Sequence, residues 1–345
     1  MKKVAWIIHY RYESDIFVMN NFNSRNSSFR RLFSKINSYF SPYVSNNFVN
    51  HDMGIEYFVI VCPVLGTTLA VLKREKQLNI LKKALMLANK LKIDQIGLGG
   101  VLASIGENPR ELINTTKIPI TISKNLVCSL VFEYILQSCK ALEKKMENCT
   151  LGIIGCNTSV SKVLLQHYRD KFKMILLDKE DGEYEKKDIV QKSSLNEIFC
   201  TSDVIVINTM GFGLGKYVDI IKPGSIVCDL MVPFFLTREI NNRRKDVLAF
   251  EAVWALYAGL SNYKDKKGKI MTFFPDKMLP ACVAEPLILA LGKKMSYFSM
   301  EGDINYSKSI LIGKMRRELG FNFFSFKQGD FTYTGKDLER IKNAA

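Results

Sequence analysis

The sequence is poor in the residues from which metal centres and disulfide frameworks are built. It has only three histidines, and its eight cysteines are scattered over 345 residues without one Cys-x-x-Cys pair. This spacing gives no support for a metal site or a disulfide scaffold, and it favours reduced thiols in a cytoplasmic setting. No apolar run approaches the ~20 residues that span a membrane, and the apolar N-terminal stretch is too short for a signal peptide. We expect a cytoplasmic protein without a metal.

Acidic residues are also scarce relative to basic ones. The chain has 49 lysines and arginines against 34 aspartates and glutamates, a net charge of +15. Such a balance favours acidic partners: nucleic acid, an anionic lipid surface or an acidic carrier protein. The basic residues are dispersed over predicted helices, and no nucleic-acid-binding motif is present. We therefore expect no nucleic-acid partner, and we leave open an acidic carrier and peripheral contact with a membrane.

The length is typical of two or three domains. A β-branched and aromatic run over 55–65 and an amphipathic pattern over 71–91 predict an N-terminal α/β domain, residues 1–120. Residues 121–295 are predicted to form a second α/β domain, and residues 296–345 a C-terminal helical segment.

The second predicted domain alternates strands with helices. A strand over Leu151–Gly155 is followed by a helix over Val160–Tyr168 and by a strand that ends at Asp178. Further predicted strands cover 203–208 and 225–229. Alternation at this spacing predicts a Rossmann-like, doubly wound parallel sheet, and strand, glycine turn, helix, strand and acidic residue follow the mononucleotide-binding plan.

The predicted glycine turn keeps only the first of the three usual glycines, Gly155. Thr158 and Ser161 stand where the second and third are expected, and small hydroxyl residues can still fit and bind phosphate. Asp178 is placed to accept from a ribose 2′-hydroxyl, which favours NAD, whereas Lys179 can pair with a 2′-phosphate, which favours NADP. The candidate cofactor-binding residues are Gly155, Asn157, Thr158, Ser159, Asp178, Lys179, Asn208, Thr209 and Gly211.

Both parts of this assignment have plainer alternatives. Asp178 can be an ordinary polar residue at the end of a strand. The loop that starts at Asn208 either lines the nicotinamide side of the crevice or is simply flexible.

Cys282 precedes an apolar helical run and is the first candidate for catalysis. Pro280 and Pro286 bracket the expected helix start, because proline suits only the first turn. The helix macrodipole would favour a thiolate there, although a small buried hydrophobe is the alternative. Glu285 is the second candidate: it either orients the site or is a first-turn acid stabilised by the helix dipole.

These segments, in this order, resemble the cyanobacterial-type long-chain acyl-[acyl-carrier-protein] reductases, which form fatty aldehydes. The similarity rests on Leu98–Gly100 with Glu107 and Asn108, on the strand and turn at Gly155, and on the segment 281–285 around Cys282. It extends over roughly residues 55–325. Two of the three turn glycines are replaced, the Thr-Gly-Asn turn that the family has before its long helix is Ser123-Lys124-Asn125 here, and the first 50 residues are not similar.

The resemblance implies NAD(P)H-dependent reduction of an acyl thioester, of acyl-carrier protein or CoA, to an aldehyde through an acyl-Cys282 intermediate. It implies NADPH as cofactor, with NADH left open. The candidate substrate-binding residues are Gly99, Gly100, Ser104 and Asn125. Two alternatives remain: a non-acylating NAD(P)-dependent dehydrogenase, and a degenerate Rossmann protein that serves as a binding or scaffold partner.

Overall fold

The structure, a computed structural model, describes most of the chain. The described residues are 1–10, 41–108, 111–112, 114–178, 189–209, 211, 213–231, 234–271, 277–300, 302–323 and 325–344. Among them, no helix combines the length and the apolar character needed to cross a bilayer. The same residues contain no group of three or more His, Cys, Asp or Glu side chains placed to hold a metal ion.

The described strands and helices alternate along most of the chain. The strands are β1 (Lys2–Tyr10), β2 (Tyr43–Asn50), β3 (Ile55–Leu65), β4 (Gln95–Leu98), β5 (Ile120–Thr121), β6 (Thr150–Ile154), β7 (Met174–Asp178), β8 (Val190–Ser193), β9 (Val204–Ile207), β10 (Ile226–Asp229), β11 (Leu248–Glu251), β12 (Trp254–Tyr257), β13 (Met278–Pro280), β14 (Phe321–Asn322), β15 (Lys327–Gln328) and β16 (Phe331–Thr332). The helices are α1 (Gly66–Val71), α2 (Arg74–Leu91), α3 (Val101–Ile105), α4 (Lys124–Ala141), α5 (Ser159–Tyr168), α6 (Leu195–Thr201), α7 (Phe235–Arg243), α8 (Ala281–Leu291), α9 (Tyr306–Glu318) and α10 (Gly335–Lys342).

The chain forms two compact units. The first unit contains Met1–Lys124, Leu256–Asp303 and Lys314–Asn322, and the second contains Asn125–Ala255, Ile304–Gly313 and Phe323–Ala345. These units differ from the predicted boundaries at 120 and 295. In particular, Cys282 belongs to the first unit and not to the Rossmann-like one, because its helix packs on the first unit's sheet.

The first unit is built on a five-stranded sheet of order β2-β3-β1-β4-β5. β2 is antiparallel to β3, and the other pairs are parallel. The helix predicted over 71–91 is present as α2, which begins three residues later because Leu72 is extended (φ −69°, ψ 152°). Helix α2 buries the stripe Leu81, Ala84, Leu85 and Ala88, the periodicity of an amphipathic helix.

Helix α8 lies against this sheet and runs opposite to its parallel strands. Near the start of the helix, Gly97 of β4 meets the Cys282 carbonyl, and an added Cβ would lie 2.5 Å from that oxygen. Near the end of the helix, the Ala290 carbonyl accepts from Lys2 Nζ at 2.8 Å, at the beginning of β1. The N-terminus of α8 is therefore on the side of the carboxyl ends of the strands.

The second unit contains a six-stranded sheet of order β11-β10-β9-β6-β7-β8. All five neighbouring pairs in this sheet are parallel. If β6 is counted as the first strand, this is the order 6-5-4-1-2-3, which is the Rossmann order 3-2-1-4-5-6 read from the other side. Val204–Ile207 is fully buried, as a central parallel strand covered on both faces should be. The predicted Rossmann-like, doubly wound fold is confirmed.

The predicted C-terminal helical segment contains helices and also short strands. A helix is present in this segment as α9, and the two units divide it after Gly313. β15 and β16 then form an antiparallel hairpin that leads into α10. This last helix starts with a capping box in which Thr334 and Asp337 satisfy each other's backbone amides.

Candidate functional site

Gly155 makes the turn between β6 and α5 in the second unit. Its φ is +85°, a conformation that glycine adopts without the penalty of a side chain. An added Cβ would lie 2.5 Å from the carbonyl oxygen of Asn208, at the end of the neighbouring strand β9. The turn lies where the strand order reverses, between β6 and β9, which is where open α/β sheets bind ligands. The first turn glycine is therefore required both by backbone conformation and by close packing.

Asp178, the last residue of β7, holds this turn in place. Its carboxylate accepts the Gly155 amide at 2.7 Å through Oδ2 and the Cys156 amide at 3.0 Å through Oδ1. The side chain is 6% exposed. An ionised carboxylate has about four lone-pair positions, so two amide bonds leave acceptor capacity for a ribose hydroxyl. Asp178 is thus a turn anchor that can still accept from a ligand.

The two residues that replace glycines bond to the turn itself. Thr158 caps α5 by accepting the Ser161 amide at 3.1 Å, and its hydroxyl donates to Ser161 Oγ at 3.1 Å. Ser161 Oγ donates to the Gly155 carbonyl at 2.8 Å. Asn208 Nδ2 donates to both hydroxyls, at 3.0 Å for Ser161 Oγ. These bonds occupy the Thr158 and Ser161 hydroxyls, which differs from the predicted role of the two as phosphate ligands.

The start of α5 nevertheless offers backbone donors. The first helical bond runs from the Lys162 amide to the Thr158 carbonyl at 3.1 Å. The Ser159 and Val160 amides precede it, and a helix leaves such amides without an intrahelical acceptor. Amides in this position, together with the helix dipole, form the anion-binding end of a helix. The groups that are suited to bind a phosphate here are therefore backbone amides, and not the Thr158 and Ser161 hydroxyls that the sequence suggested.

The remaining predicted cofactor residues are less constrained. Asn157 is exposed, and Thr209 and Gly211 are half-buried. A Cβ on Gly211 would make only an ordinary contact, 3.5 Å from Leu236 Cβ, so glycine is not required there. Lys179 lies outside the described residues. The NADP-specific interpretation, which rests on Lys179, stays a prediction.

A pair of buried carboxylates was not singled out from the sequence. Asp229 and Glu251 end the neighbouring strands β10 and β11, are paired in register, and are 2% and 4% exposed. Glu251 accepts Trp254 Nε1 at 2.7 Å and the Gly329 amide at 2.8 Å, one on each oxygen. Asp229 accepts the Met231 amide at 3.0 Å. The sequence did contain a signal for this pair, since an acidic residue is the last residue of each of two successive strands. Parallel strands bring their carboxyl ends together at one edge of the sheet.

The pKa of Asp229 is perturbed. Burial raises the pKa of Asp229 to about 7, and the nearby Glu251 carboxylate adds to the rise. Hydrogen bonds from the Met231 amide and from Thr237 oppose the rise, since they favour the charged form. Glu251 accepts an N–H donor on each oxygen, from Trp254 and from the Gly329 amide. A buried acid that titrates near neutrality at this edge of the sheet is a candidate functional group.

Cys282 is the second residue of α8, inside the first helical turn. Pro280 is the N-cap residue, so it precedes the first helical turn, and it makes no side-chain capping bond. Pro286 lies inside the helix. Pro286 has no amide hydrogen for the Cys282 carbonyl, and that carbonyl and the proline ring both pack against Gly97. Cys282 is half-buried, whereas the cysteines of the strands and of α4 are buried. The prediction that Cys282 stands at a helix N-terminus is consistent with this placement.

Glu285, the second predicted catalytic residue, faces the sheet. It is 0% exposed and accepts a short hydrogen bond from the Thr121 hydroxyl on β5. It lies in the second turn of α8, since the first turn contains no acid. The alternative of a first-turn acid stabilised by the helix dipole is therefore wrong. In this structure Glu285 joins α8 to the sheet, and a role in orienting the site stays a prediction.

The glycine pair expected to hold substrate has a packing explanation. A Cβ on Gly99 would lie 2.5 Å from Trp6 Nε1, and a Cβ on Gly100, whose φ is +58°, would lie 2.4 Å from His9 Nε2. The buried His9 ring accepts the Val101 amide at 2.9 Å through Nε2, so its proton is on Nδ1, which bonds to the Tyr10 carbonyl at 2.8 Å. The glycines therefore make room for two side chains of β1.

The last two predicted substrate residues lie in different units. Ser104 is exposed on the short helix α3 of the first unit. Asn125 is 0% exposed in the second unit. Its Oδ1 accepts the Asn305 amide at 3.1 Å and the Ser309 hydroxyl at 3.0 Å. Those bonds tie α4 to α9, which is a structural role, and substrate binding by either residue stays a prediction.

Comparisons with known proteins give matches to solved structures at low identity. No family model matches the sequence. L-tryptophan dehydrogenase from Nostoc punctiforme is 11% identical, with 99% of this chain and 87% of that chain covered and a TM-score of 0.42. NAD-dependent formate dehydrogenase from Staphylococcus aureus is 11% identical, with 99% and 92% covered and a TM-score of 0.32.

D-2-hydroxyisocaproate dehydrogenase is 12% identical, with 72% of this chain and 77% of that chain covered and a TM-score of 0.33. Each of these TM-scores is below 0.5, so the assignment of the fold rests on the strand order and on the glycine turn. This chain has a Rossmann-like second unit, with Gly155 and Asp178 at the carboxyl edge of its sheet.

Proposed function

We propose that this chain is a nicotinamide-dependent oxidoreductase that binds its dinucleotide at the carboxyl edge of the second unit's sheet. The observation that carries the proposal is the Rossmann strand order with Gly155 at its switch point and Asp178 at the end of the next strand. When bound, a nicotinamide cofactor supplies or accepts hydride, which is chemistry that no side chain provides.

The residues present fit such a cofactor. Gly155 allows backbone to approach a pyrophosphate, and the Ser159 and Val160 amides at the start of α5 are suited to bind it. Asp178 can accept from the adenosine ribose while it anchors the turn. Thr158 and Ser161 keep the turn compact without glycine, because their hydroxyls are bonded inward.

A fluorescence titration of the full chain with NADH and with NADPH tests this proposal. We expect saturable binding of one of them that is lost in Gly155→Ala, whose side chain would collide with the Asn208 carbonyl. Gly335→Ala is the matched control, because it lies in the same unit and an added Cβ there meets no atom within 4 Å. Binding of neither dinucleotide by a folded protein would overturn the proposal and favour a degenerate Rossmann scaffold.

The finer candidate is an acyl-thioester reductase that uses Cys282. The observation in its favour is a half-buried cysteine in the first turn of an 11-residue helix without a side-chain cap. First-turn amides and the helix dipole stabilise a thiolate and can also stabilise a tetrahedral oxyanion. The acyl donor would be an acyl-carrier protein or CoA thioester, and the positive net charge of the chain favours an acidic carrier.

The acyl transfer would use the Cys282 thiolate as nucleophile. Its sulfur bonds to the thioester carbonyl carbon, and the carrier sulfur leaves as a thiolate that takes up a proton. Acceptance of hydride by the same carbon breaks its bond to Cys282 and releases an aldehyde. Thioester exchange suits cysteine, because the attacking thiolate and the leaving thiolate are of comparable stability.

Intact mass spectrometry separates the acylating from the non-acylating candidate. The full chain is mixed with a long-chain acyl-carrier-protein thioester in the absence of nicotinamide, beside Cys282→Ala and Cys200→Ala. We expect one acyl mass that disappears in Cys282→Ala and survives in Cys200→Ala, since Cys200 is merely exposed. If no adduct forms and nicotinamide-dependent turnover of other substrates survives Cys282→Ala, the non-acylating dehydrogenase is the better function.

A further inference from the structure

A basic cavity of about 170 Å³ lies within the second unit, away from the glycine turn. Its walls are the end of α7 with the loop that leads into β11, the hairpin β15–β16, and α10. In a parallel sheet that loop lies at the amino ends of the strands, whereas dinucleotides bind at the carboxyl ends. The cavity is therefore separate from the candidate dinucleotide site.

The side chains that line the cavity are cationic, amide, aromatic or aliphatic. Arg244, Lys245 and Arg340 are its charged members, and no aspartate or glutamate is among the described residues that line it. Asp246 pairs with Arg244 at 2.7 Å, and Asp337 pairs with Arg340 at 2.8 Å, both from outside the lining. The lining is thus net positive, and a bound anion would meet no carboxylate on the cavity walls.

Arg244 is a structural member of this wall. Nε and Nη2 bond to the two Asp246 oxygens at 2.8 and 2.7 Å, and Nη2 also donates to the Ile221 carbonyl at 2.9 Å. Nη1 donates to the Val218 and Asp219 carbonyls at 2.9 and 3.2 Å. These bonds use all five donors of a guanidinium. Arg244 therefore contributes positive charge but no donor for a ligand.

Lys245 and Arg340 keep donors for a ligand. Lys245 Nζ donates to the Asn241 carbonyl at 2.6 Å, which is one of the three bonds that an ammonium can make. Arg340 donates to the Lys245 carbonyl at 2.9 Å through Nε and to Asp337 at 2.8 Å through Nη2. Within the described part of the chain, both Nη1 hydrogens of Arg340 have no acceptor. An arginine with an open edge beside a lysine is suited to an oxyanion.

The other walls favour a ligand with a small carbon part. The Phe331 ring is 44% exposed and packs edge-on against Tyr333, with ring centroids 4.9 Å apart. Gln328 and Asn242 add amide groups. Pockets for drug-sized ligands are typically ~300–1,000 Å³, so this cavity is suited to a smaller molecule.

We propose that this cavity binds a phosphate group, either as inorganic phosphate or as the end of a small phosphomonoester. Arg340 and Lys245 donate to the phosphate oxygens, and Phe331 packs against the organic part of an ester. The bound group would join α10 and the hairpin to the loop before β11. The proposal does not depend on the proposed oxidoreductase activity, because no residue of the glycine turn takes part.

Isothermal titration of the full chain with inorganic phosphate and with phenyl phosphate tests the proposal, with sodium acetate at matched ionic strength as the comparison. We expect phosphate-containing probes to bind and acetate to bind at least about tenfold more weakly, because a tetrahedral dianion accepts from both cations. Tighter binding of phenyl phosphate, reduced by Phe331→Ala, would identify a phosphomonoester as the source; equal binding would identify inorganic phosphate. Acetate binding as tight as phosphate binding would overturn the assignment.

Three variants locate the bound anion. Arg340→Gln and Lys245→Gln should each weaken phosphate binding about tenfold, the usual effect of removing one charge-assisted hydrogen bond. Lys342→Gln is the matched control: it lies on the same helix, loses the same charge, and pairs with Glu143 outside the cavity. Circular dichroism checks that α10 stays folded, and Lys245→Gln keeps the test valid if Arg340→Gln does not fold. Equal affinity in all three variants would overturn the site.

Discussion

The two helix starts that the proposed functions use, α5 in the second unit and α8 in the first, have opposite arrangements of their polar groups. At α5 the Thr158 hydroxyl caps the helix, and Asp178 accepts the two turn amides before it. At α8 the N-cap residue is Pro280, which makes no side-chain capping bond. At α5, side chains accept the amides of the turn and of the first helical residues. At α8, no side chain of the N-cap residue does so, and Cys282 lies in the first turn.

This difference shows two ways in which a helix N-terminus can be prepared for an anion. At α5 the side chains fix the shape of the turn, and the anion site is left to the backbone amides of Ser159 and Val160. At α8 a thiol stands in the first turn itself, so the charge to be stabilised is part of the chain. The following predictions test this comparison, from the largest expected change in the free energy of unfolding to the smallest.

Gly155→Ala should be the most destabilising change at the turn between β6 and α5. Its positive φ and the contact with the Asn208 carbonyl combine backbone strain and overpacking, so we expect a loss of about 4 kcal/mol in the free energy of unfolding. Gly213→Ala is the control: its φ is also positive, but no atom lies within 4 Å, so strain alone should cost about 1 kcal/mol. Equal losses by urea unfolding would contradict the packing argument.

Asp229→Asn should change how stability at this edge depends on pH. The folded pKa of Asp229 is about 7, above its ordinary value of 3.8, so the native protein holds a proton that the unfolded chain releases. The stabilisation is therefore complete below about pH 4 and is lost as pH rises to about 7. Relative to the variant, wild type should lose up to roughly 4 kcal/mol over that window. Urea unfolding of both proteins between pH 4 and pH 8 measures the difference, and parallel curves would refute the assignment.

Asp178→Asn tests whether the Asp178 carboxylate stabilises the turn between β6 and α5. The variant keeps the shape of the side chain but places an amide donor against a backbone donor, so we expect a loss of about 2 kcal/mol. Asp170→Asn is a matched control, because Asp170 is largely exposed and its pair with Arg169 should contribute little. Denaturant unfolding of the two variants at pH 7 provides the comparison. A loss no larger than that of the control would mean that the turn does not depend on Asp178.

Cys282→Ser should have the smallest effect on stability and the largest on thiol chemistry. The side chain is half-buried, so we expect a change within about 0.5 kcal/mol. In native protein with Cys200 replaced by serine, iodoacetamide should modify Cys282 at least about tenfold faster than the buried Cys156, because only an accessible thiolate reacts. Peptide mass mapping over time measures both rates. Modification of Cys156 at a similar rate would remove the distinction between the two helix starts.

Much of the fold could be predicted from local patterns. The strand ending at Asp178, the helix that follows Gly155 and the stripe on α2 each depend on residues a few positions apart, so periodicity and turn residues suffice to find them. The start of the helix predicted over 71–91 was placed three residues too early, because Leu72 is extended. The sequence also left open which proline marks the start of the Cys282 helix: Pro280 is its N-cap residue, whereas Pro286 lies inside α8 and its ring packs on Gly97.

The sequence by itself determined the order of strands and helices in the second unit, the glycine at its first turn and Asp178 at the end of the next strand, because these features follow from local chemistry and chain order. Only the tertiary structure decided which sheet α8 packs on, that Asp178 accepts the turn amides, and that Asp229 and Glu251 stand side by side. Each of those facts joins residues far apart in the chain, and such contacts are fixed by strand pairing and by the fit of facing surfaces, which no local pattern contains.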